Sequence, residues 1–350
     1  MAEDEHLAAL RAKYAEAGPT VFDPHFKAVA DSQFQGERRI LPYGSPSTLL
    51  GAPFLPDADP LTAKLDIALL GVPMDLGVTN RSGARFGPRA VRGAERIGPY
   101  EHVLRMTPFA GGPVADVGDV PLPSRYDLAA CHAAIERSAC GWIEAGTVVL
   151  AVGGDHSISH PLLRAAGRDR PVGMVHIDAH CDTSGPFEGC RFHHGGPFRQ
   201  AVLDGVLDPR RTVQIGIRGP AEWLWEFSYE SGMTVIHAED LEARGLAAVL
   251  AQSREVVGEG PVWISFDVDS LDPAFAPGTG TPEVGGLTMR EAQFLLRGLA
   301  GLDVVGGDVV EVAPQYDATT NTAQAAAQVL LTQACLARLA LERRTKIEAS

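Results

Sequence analysis

The sequence lacks several features that would place a protein at once. No apolar run reaches the roughly 20 residues needed to cross a bilayer, so no membrane partner is expected. The start, M-A-E-D-E-H, has no basic stretch followed by an apolar one, so no signal peptide is expected. Five cysteines, at 131, 140, 181, 190 and 335, are odd in number and form no pairing pattern, which fits a reducing, cytoplasmic setting. Positive charge is scarce: 30 basic against 44 acidic side chains leave a net charge of −14, so no nucleic-acid partner is expected. The chain has no dinucleotide fingerprint and no serine in a nucleophile-elbow context. Gly278–Thr281, G-T-G-T, is glycine-rich but lacks the lysine and spacing of a phosphate-cradling loop.

What is present suits one large core. The chain has 350 residues, 45% of them hydrophobic, near the upper size that a single core serves. From Leu65 onward, short apolar runs alternate with helical patterns. Strands are expected at Leu65–Val72, Val114–Val120, Val148–Val152, Val172–Ile177, Val213–Ile217, Thr234–His237, Val262–Phe266 and Leu302–Glu311. Helices are expected at Pro88–Ile97, Asp127–Glu144, Ser159–Ala166, Phe198–Val206, Ala221–Tyr229, Asp240–Val257, Thr288–Leu299 and Thr320–Leu341. Thr288 with Glu291 three residues on forms a capping box. Strands that are apolar nearly throughout belong to a mostly parallel sheet covered on both faces, an α/β architecture. Residues 1–64 read as an N-terminal extension, an arm or a lid, with a short helix at Glu3–Ala17. Residues 65–341 read as a single catalytic domain and 342–350 as a tail.

The chemistry gathers in three stretches. Val175–Asp182, V-H-I-D-A-H-C-D, spaces Asp178, His180 and Asp182 by two; a strand continued that far would put all three on one side. Gly153–Ser157, G-G-D-H-S, offers His156 at a strand end, and Ser265–Asp272, S-F-D-V-D-S-L-D, again spaces Asp267 and Asp269 by two. Two histidines and four aspartates suffice for two divalent cations sharing carboxylates. Mixed imidazole and carboxylate donors suit manganese, nickel, zinc or iron better than calcium. All six fall at or beyond strand C-terminal ends, where open sheets of this class place their sites. Two such ions can bridge a water and make hydroxide available near neutrality. His193 and His194 lie in a loop, and either can shuttle a proton. Glu311 ends a strand and can pair with a cationic substrate, in bidentate fashion if that is a guanidinium. His176 shares the phase of Asp178 and His180 but sits two residues deeper, so it reads as a packed neighbour of the ligands. Cys181, out of phase, reads as core, and Asp155 and Asp272 as carboxylates supporting the ligands from behind.

Taken together, G-G-D-H-S, H-I-D-A-H-C-D, H-G-G-P-F and S-F-D-V-D-S-L-D-P-A-F-A-P-G-T-G-T-P-E-V-G-G resemble the ureohydrolase family of arginases, agmatinases and guanidino-acid hydrolases. The loop from Gly71 to Arg92 and the ending D-V-V-E-V-A-P-Q-Y-D resemble its agmatinase-like branch; the likeness covers about residues 65–340. The resemblance implies a three-layer α/β/α fold and two divalent ions, manganese first and nickel as the runner-up. It implies Asp178 and Asp267 as bridges, His156 and Asp182 completing one ion's shell, and His180 and Asp269 the other's. It implies His194 in proton transfer, Glu311 against the guanidinium, and Asp182 taking up a proton. The expected reaction is hydrolysis of agmatine, guanidinobutyrate or guanidinopropionate to urea and an amine. The alternatives are a nickel-dependent guanidine or biguanide hydrolase working with a paralogous subunit, and a single-zinc deacetylase-like amide hydrolase. The resemblance also implies a homo-trimer or homo-hexamer. Gly196 stands where the family's loop usually has threonine, and His193 is extra, so the loops that select the substrate's tail differ here.

Overall fold

The computed structural model describes residues 4–15, 21–33, 44, 46–94 and 100–348. It divides into two compact units, 1–41 and 42–350. The first unit contains helices Glu5–Tyr14 and Pro24–Gln33. Asp4 caps the first, its carboxylate accepting from the His6 N–H. The sequence-predicted helix Glu3–Ala17 is thus seen over its middle; Glu3, Glu16 and Ala17 lie outside the described residues.

The second unit is built on eight strands: β1 (Ile67–Val72), β2 (Val114–Asp119), β3 (Val148–Gly153), β4 (Val172–Ile177), β5 (Leu207–Ile217), β6 (Thr234–His237), β7 (Pro261–Asp267) and β8 (Asp303–Val310). They form one sheet in the order β2-β1-β3-β8-β7-β4-β5-β6, and every pairing is parallel. All eight expected strands are present. Residues along each strand alternate between two buried clusters. Ile67, Leu69, Leu150, Val152, Val175 and Ile177 face one side, and Ala68, Leu70, Val149, Ala151, Val172 and Met174 face the other. Helices Leu246–Val257, Met289–Arg297 and Asn321–Glu348 cover the first cluster. Helices Leu128–Glu144, Ser159–Ala166 and Pro197–Leu203 cover the second. Both strand faces are therefore dry, which is why the strands read as unbroken apolar runs. This is the three-layer α/β/α arrangement.

Helix limits depart from expectation where backbone chemistry intervenes. The run Asp240–Val257 is two helices, Ala238–Arg244 and Leu246–Val257, separated by Gly245 at φ 80°, a left-handed residue that no α-helix accommodates. The stretch from Ala221 opens as a 3₁₀ turn, Glu222–Trp225, before helix Glu226–Ser231. The final helix runs on to Glu348. The capping box at Thr288 and Glu291 is formed on both sides. The helix expected from Pro88 spans Gly87–Arg92; residues 95–97 lie outside the described residues. Residues 46–64, before β1, run beside β2: the Leu49 N–H donates to Asp116 Oδ2 at 2.9 Å, and the Leu55 N–H to the Asp116 carbonyl at 2.8 Å.

The central four strands, β3-β8-β7-β4, end level with one another. Val152 pairs with Val309, Asp267 with Val310, and Ile177 with Phe266. Gly154, just past β3, packs so tightly that a Cβ there would lie 2.1 Å from the Met74 carbonyl oxygen. Only glycine lets the turn carrying His156 fold over the end of β1.

Candidate metal centre

Asp267 is the last residue of β7, and His156, Asp178, His180, Asp182, Asp269 and Glu311 follow the C-terminal ends of the four strands. Strand phase is not what brings the middle group together. β4 stops at Ile177, and Asp182 turns into the left-handed region at φ 52°. Asp178, His180 and Asp182 converge because the chain coils beyond the strand: the His180 N–H donates to Asp178 Oδ1 at 2.7 Å, and the Arg218 N–H to the Ala179 carbonyl at 2.9 Å. Asp267 in turn caps a 3₁₀ turn, accepting from the Asp269 N–H at 2.8 Å, so that turn aims Asp269 inward.

The side chains form two clusters that share one aspartate. His156 Nδ1 lies 3.1 Å from Asp178 Oδ2, 2.8 Å from Asp182 Oδ2 and 3.2 Å from Asp267 Oδ2. His180 Nδ1 lies 3.2 Å from Asp269 Oδ2 and 3.5 Å from Asp178 Oδ1. Asp178 therefore turns one oxygen to each histidine. His156, Asp178, Asp267 and Asp269 are almost wholly buried.

The protons on His156 can be placed by elimination. Ser265 Oγ lies 2.6 Å from Asp308 Oδ1, a carboxylate that only accepts, so the one hydroxyl hydrogen goes there. Ser265 must then accept from His156 Nε2, 2.8 Å away. In the neutral ring the Nδ1 lone pair then faces three carboxylate oxygens, and either a second ring proton or a cation has to stand between them. Lone pairs converging without hydrogen between them repel, and a cation removes the repulsion.

Titration of the bare cluster carries the same message. Burial lowers the proton affinity of His156, yet Asp178, Asp182 and Asp267 overcome that and push it well above the usual imidazole range. Burial together with the Asp269 and Asp178 charges drives Asp267 well above the ordinary carboxyl value. Burial and Asp178 bring Asp269 up to about 6. Burial acts upward on Asp178 too, but His176, His156 and His180 outweigh it and hold that carboxyl well below its range. So many carboxylates cannot all be ionised here without positive charge, whether protons or cations. The donor set fits two divalent ions. His156, Asp178 and Asp182 would hold one, His180, Asp178 and Asp269 the other, with Asp267 beside the first; such ions supply Lewis acidity and lower the pKa of bound water.

Glu311 stands at the end of β8, at φ 65°. Left-handed backbone at a residue with a Cβ is uncommon, and two of the seven such residues among those described, Glu311 and Asp182, stand at the site. Glu311 Oε1 accepts from the His156 N–H and from His194 Nδ1, each at 2.9 Å. Its Oε2 is buried with no hydrogen-bond partner among the described residues, a free acceptor. Burial raises the Glu311 carboxyl, and His194 with the His156 N–H outweighs it, holding the group below its usual range.

His194 is caught between two demands. Burial lowers its proton affinity, and Glu311 outweighs burial and lifts it to about 9. The Thr79 N–H, however, points at Nε2 from 3.0 Å, where a second ring proton would collide with it. The amide N–H cannot turn away, so the Nδ1–H tautomer is the better description. A ring drawn toward a second proton but denied room for it is suited to passing one on. His193 does something different: its Nε2 meets the Gly185 carbonyl at 2.8 Å and its ring packs on Gly196. It ties the two ends of the loop together, and the neighbouring Gly196 leaves room for the ring.

Asp155, Asp272 and Cys181 stand beside the ligands as their sequence positions imply, whereas Arg218 carries no spacing signal. Arg218, at the end of β5, gives its buried guanidinium to the carbonyls of Asp269, Ser270 and Glu283, among others, binding the Asp269 turn to the loop at 283. Asp155 accepts from the Gly77 and Ser157 N–H groups, fixing the loop that carries Thr79. Asp272 closes its own loop through the Ala274 and Gly285 N–H groups. Cys181 is buried, and burial raises its thiol to about 12, so it holds its proton.

An all-parallel sheet between two helix layers, with imidazoles and carboxylates gathered around one shared aspartate at its strand ends, defines a binuclear divalent-metal hydrolase. The chain belongs to the arginase family, whose model matches residues 65–335. It is 50% identical over 278 residues to the guanidinopropionase of Pseudomonas aeruginosa, covering 78% of this chain and 87% of that one. It is 45% identical over 276 residues to the mitochondrial agmatinase of Gallus gallus, covering 78% and 81%. Among solved structures, proclavaminate amidino hydrolase from Streptomyces clavuligerus superposes with a TM-score of 0.79 at 36% identity, over 85% of this chain and 99% of that one. The chain is a metal-dependent amidinohydrolase that cleaves a C–N bond of a guanidino compound, releasing urea and an amine. Among the described residues no helix is long and apolar enough to cross a membrane.

Proposed function

We propose that the substrate is a short guanidino acid of the guanidinopropionate class, hydrolysed at a dimanganese centre. In this reading Asp178 and Asp267 would be the carboxylates shared by the two ions, with His156 and Asp182 holding one and His180 and Asp269 the other. The observation that carries the assignment is the split of Asp178, with one oxygen turned to each histidine. It also weighs against the single-zinc amide-hydrolase alternative, which has no use for a second cluster. The choice of a guanidino acid draws on the 50% identity to the guanidinopropionase. Manganese is proposed because four carboxylates and two imidazoles form an oxygen-rich donor set, with nickel the competing ion.

In this reading Glu311 binds the guanidinium through its unpartnered Oε2, while Oε1 stays occupied by the His156 N–H and His194. That pairing fixes the guanidinium carbon for attack by water. Asp182, 2.8 Å from His156 Nδ1, takes up the proton released on attack. The departing amine receives that same proton, which His194 helps to deliver in this reading; Glu311 Oε1 at Nδ1 and Thr79 at Nε2 fix the orientation of the ring. A homo-trimer or homo-hexamer, or a mixed assembly with a paralogue, rests on the family resemblance alone.

The test is urea and amine release from guanidinopropionate, guanidinobutyrate, agmatine, guanidine and a biguanide, each with manganese and with nickel. The expected result is the highest kcat/KM on guanidinopropionate with manganese, and no turnover by Asp178→Ala. Preference for agmatine overturns the acid assignment. A nickel-only biguanide activity that needs a second chain overturns the metal and assembly assignments as well.

A further inference from the structure

We propose that Gln214 and His176 are positioning residues which hold the Asp178 carboxylate in its bridging attitude, and that His176 is not itself a metal ligand. The proposal rests on the reading of Asp178 as the shared carboxylate.

His176 is fully buried on β4, and with His156 and Asp178 it forms a group compact enough to hold a metal ion. Position alone therefore allows it to be a third histidine ligand. Its hydrogen bonds do not. Gln214 sits opposite it in register on β5. Gln214 Nε2 is 2.6 Å from the Cys181 carbonyl oxygen and 3.0 Å from His176 Nδ1. A carbonyl oxygen can only accept, so the end of Gln214 that faces it is the NH₂ group. One hydrogen goes to Cys181, and the other points at His176 Nδ1, which must present a lone pair. The proton of the neutral ring is then on Nε2, 2.7 Å from Asp178 Oδ2. A nitrogen bearing a hydrogen that is already donated has no lone pair for a cation.

The direction of this chain is set by a main-chain carbonyl, which cannot change its role. Ring orientation is held independently: His176 packs on Phe198, with centroids 4.4 Å apart, and on His156 at 5.3 Å. The result fixes Asp178 from both sides. Oδ2 takes the His176 hydrogen, and Oδ1 takes the His180 N–H at 2.7 Å. With a donor on each oxygen the carboxylate cannot rotate, and each oxygen keeps a lone pair for its own side of the centre. Gln214 also bonds to the loop between His180 and Asp182, so one side chain sets both the bridging aspartate and the coil that presents its neighbours. Outer partners of this kind commonly account for about 10- to 100-fold in metal affinity.

Gln214→Met, of similar length but without donors, touches no ligand and frees the ring to change tautomer. His176→Phe removes the donor and keeps a planar ring against Phe198. Both are loaded with manganese, desalted, and assayed for metal per chain, for the rate of metal transfer to a chelator, and for imidazole count per ion by X-ray absorption. Apo-protein melting checks the fold. The expected result is two ions per chain at saturation, transfer roughly 10-fold or more faster, and an unchanged imidazole count. Wild-type transfer rates in both variants overturn the proposal, as does loss of one ion with a lower imidazole count in His176→Phe, which would make His176 a ligand. Asp178→Asn separates the underlying reading: if that variant holds both ions as tightly as wild type, Asp178 is not the bridge.

Discussion

At the scale of single residues, the site divides into side chains that announce themselves and side chains that do not. Histidines and aspartates at strand ends are legible because such chemistry is costly to bury without a purpose. Ser265, Gln214, Arg218 and Thr79 are ordinary residues in sequence. What makes each one matter is a partner far away in the chain: Asp308 for Ser265, Cys181 for Gln214, Asp269 for Arg218, His194 for Thr79. Nothing local encodes these pairings, so only the folded chain shows which tautomer each histidine adopts. Glu311 is legible as a carboxylate at a strand end, but its division of labour between two oxygens is not. That division makes a prediction. Glu311→Gln keeps an acceptor for His194 but removes the charge that faces the guanidinium. Losing one member of a buried charge pair costs about 3–5 kcal/mol, so kcat/KM should fall by roughly two to four orders of magnitude. Metal content should stay at the wild-type level, because Glu311 holds no ion. Steady-state kinetics beside elemental analysis checks both, and wild-type kinetics in the variant would remove Glu311 from substrate binding.

At the scale of elements, the strands were readable where two dry faces demand apolar residues; β5 reads as a strand only from Val213 because Asp208, Arg210 and Arg211 near its start are polar and not fully buried. What the pattern leaves open lies beyond an element's end. β4 keeps its expected bounds, Val172–Ile177, so the alternation of Asp178, His180 and Asp182 falls beyond it and a coil does the gathering. The helix Leu128–Glu144 shows how an element buries a titratable group that has no part in the chemistry. His132 on that helix packs against Phe192 and His160, with Ser157 Oγ 3.1 Å from its Nε2. Glu136, Arg164, Arg191 and Asp204 line the same hollow. Burial, with His160 adding to it, lowers the His132 imidazole to about 3. The unfolded chain takes up a proton near pH 6.5 that the folded helix refuses. Between that pH and about 3, stability therefore falls as pH falls, by about 1.4 kcal/mol per unit. His132→Phe should lose this contribution. Urea midpoints at pH 7 and pH 5 should lie closer together in the variant than in wild type, and an identical gap would show that His132 does not carry the acid sensitivity.

At the scale of the whole molecule, the sheet places strongly repelling charges where the core is most rigid. Strands β3, β8, β7 and β4 each deliver part of the site, so the four best-covered elements all bear on one electrostatic problem. Without ions the problem is met by protons. Asp267 and Asp269 have folded-state pKa values above their ordinary 3.8, so above that pH the folded apo-protein binds more protons than the unfolded chain. Its stability from these groups is present below pH 3.8 and is lost as pH rises through their folded values. Bound divalent ions replace those protons and reverse the dependence, since they favour the ionised carboxylates. The gap in stability between metal-loaded and chelated protein should therefore widen with pH. An ion present at 100 times its dissociation constant stabilises by about 2.7 kcal/mol, which for a unit of this size is a shift of roughly 4 °C. Melting curves with manganese and with chelator, taken from pH 5 to pH 8, read this gap directly, and the His132 contribution cancels because it is common to both forms. Asp267→Asn supplies the converse. Removing one carboxylate should raise the melting temperature of the chelated protein at pH 8 while weakening metal retention. A gap that does not change with pH, or an Asp267→Asn apo-protein less stable than wild type at pH 8, would mean that carboxylate repulsion is not what the ions relieve.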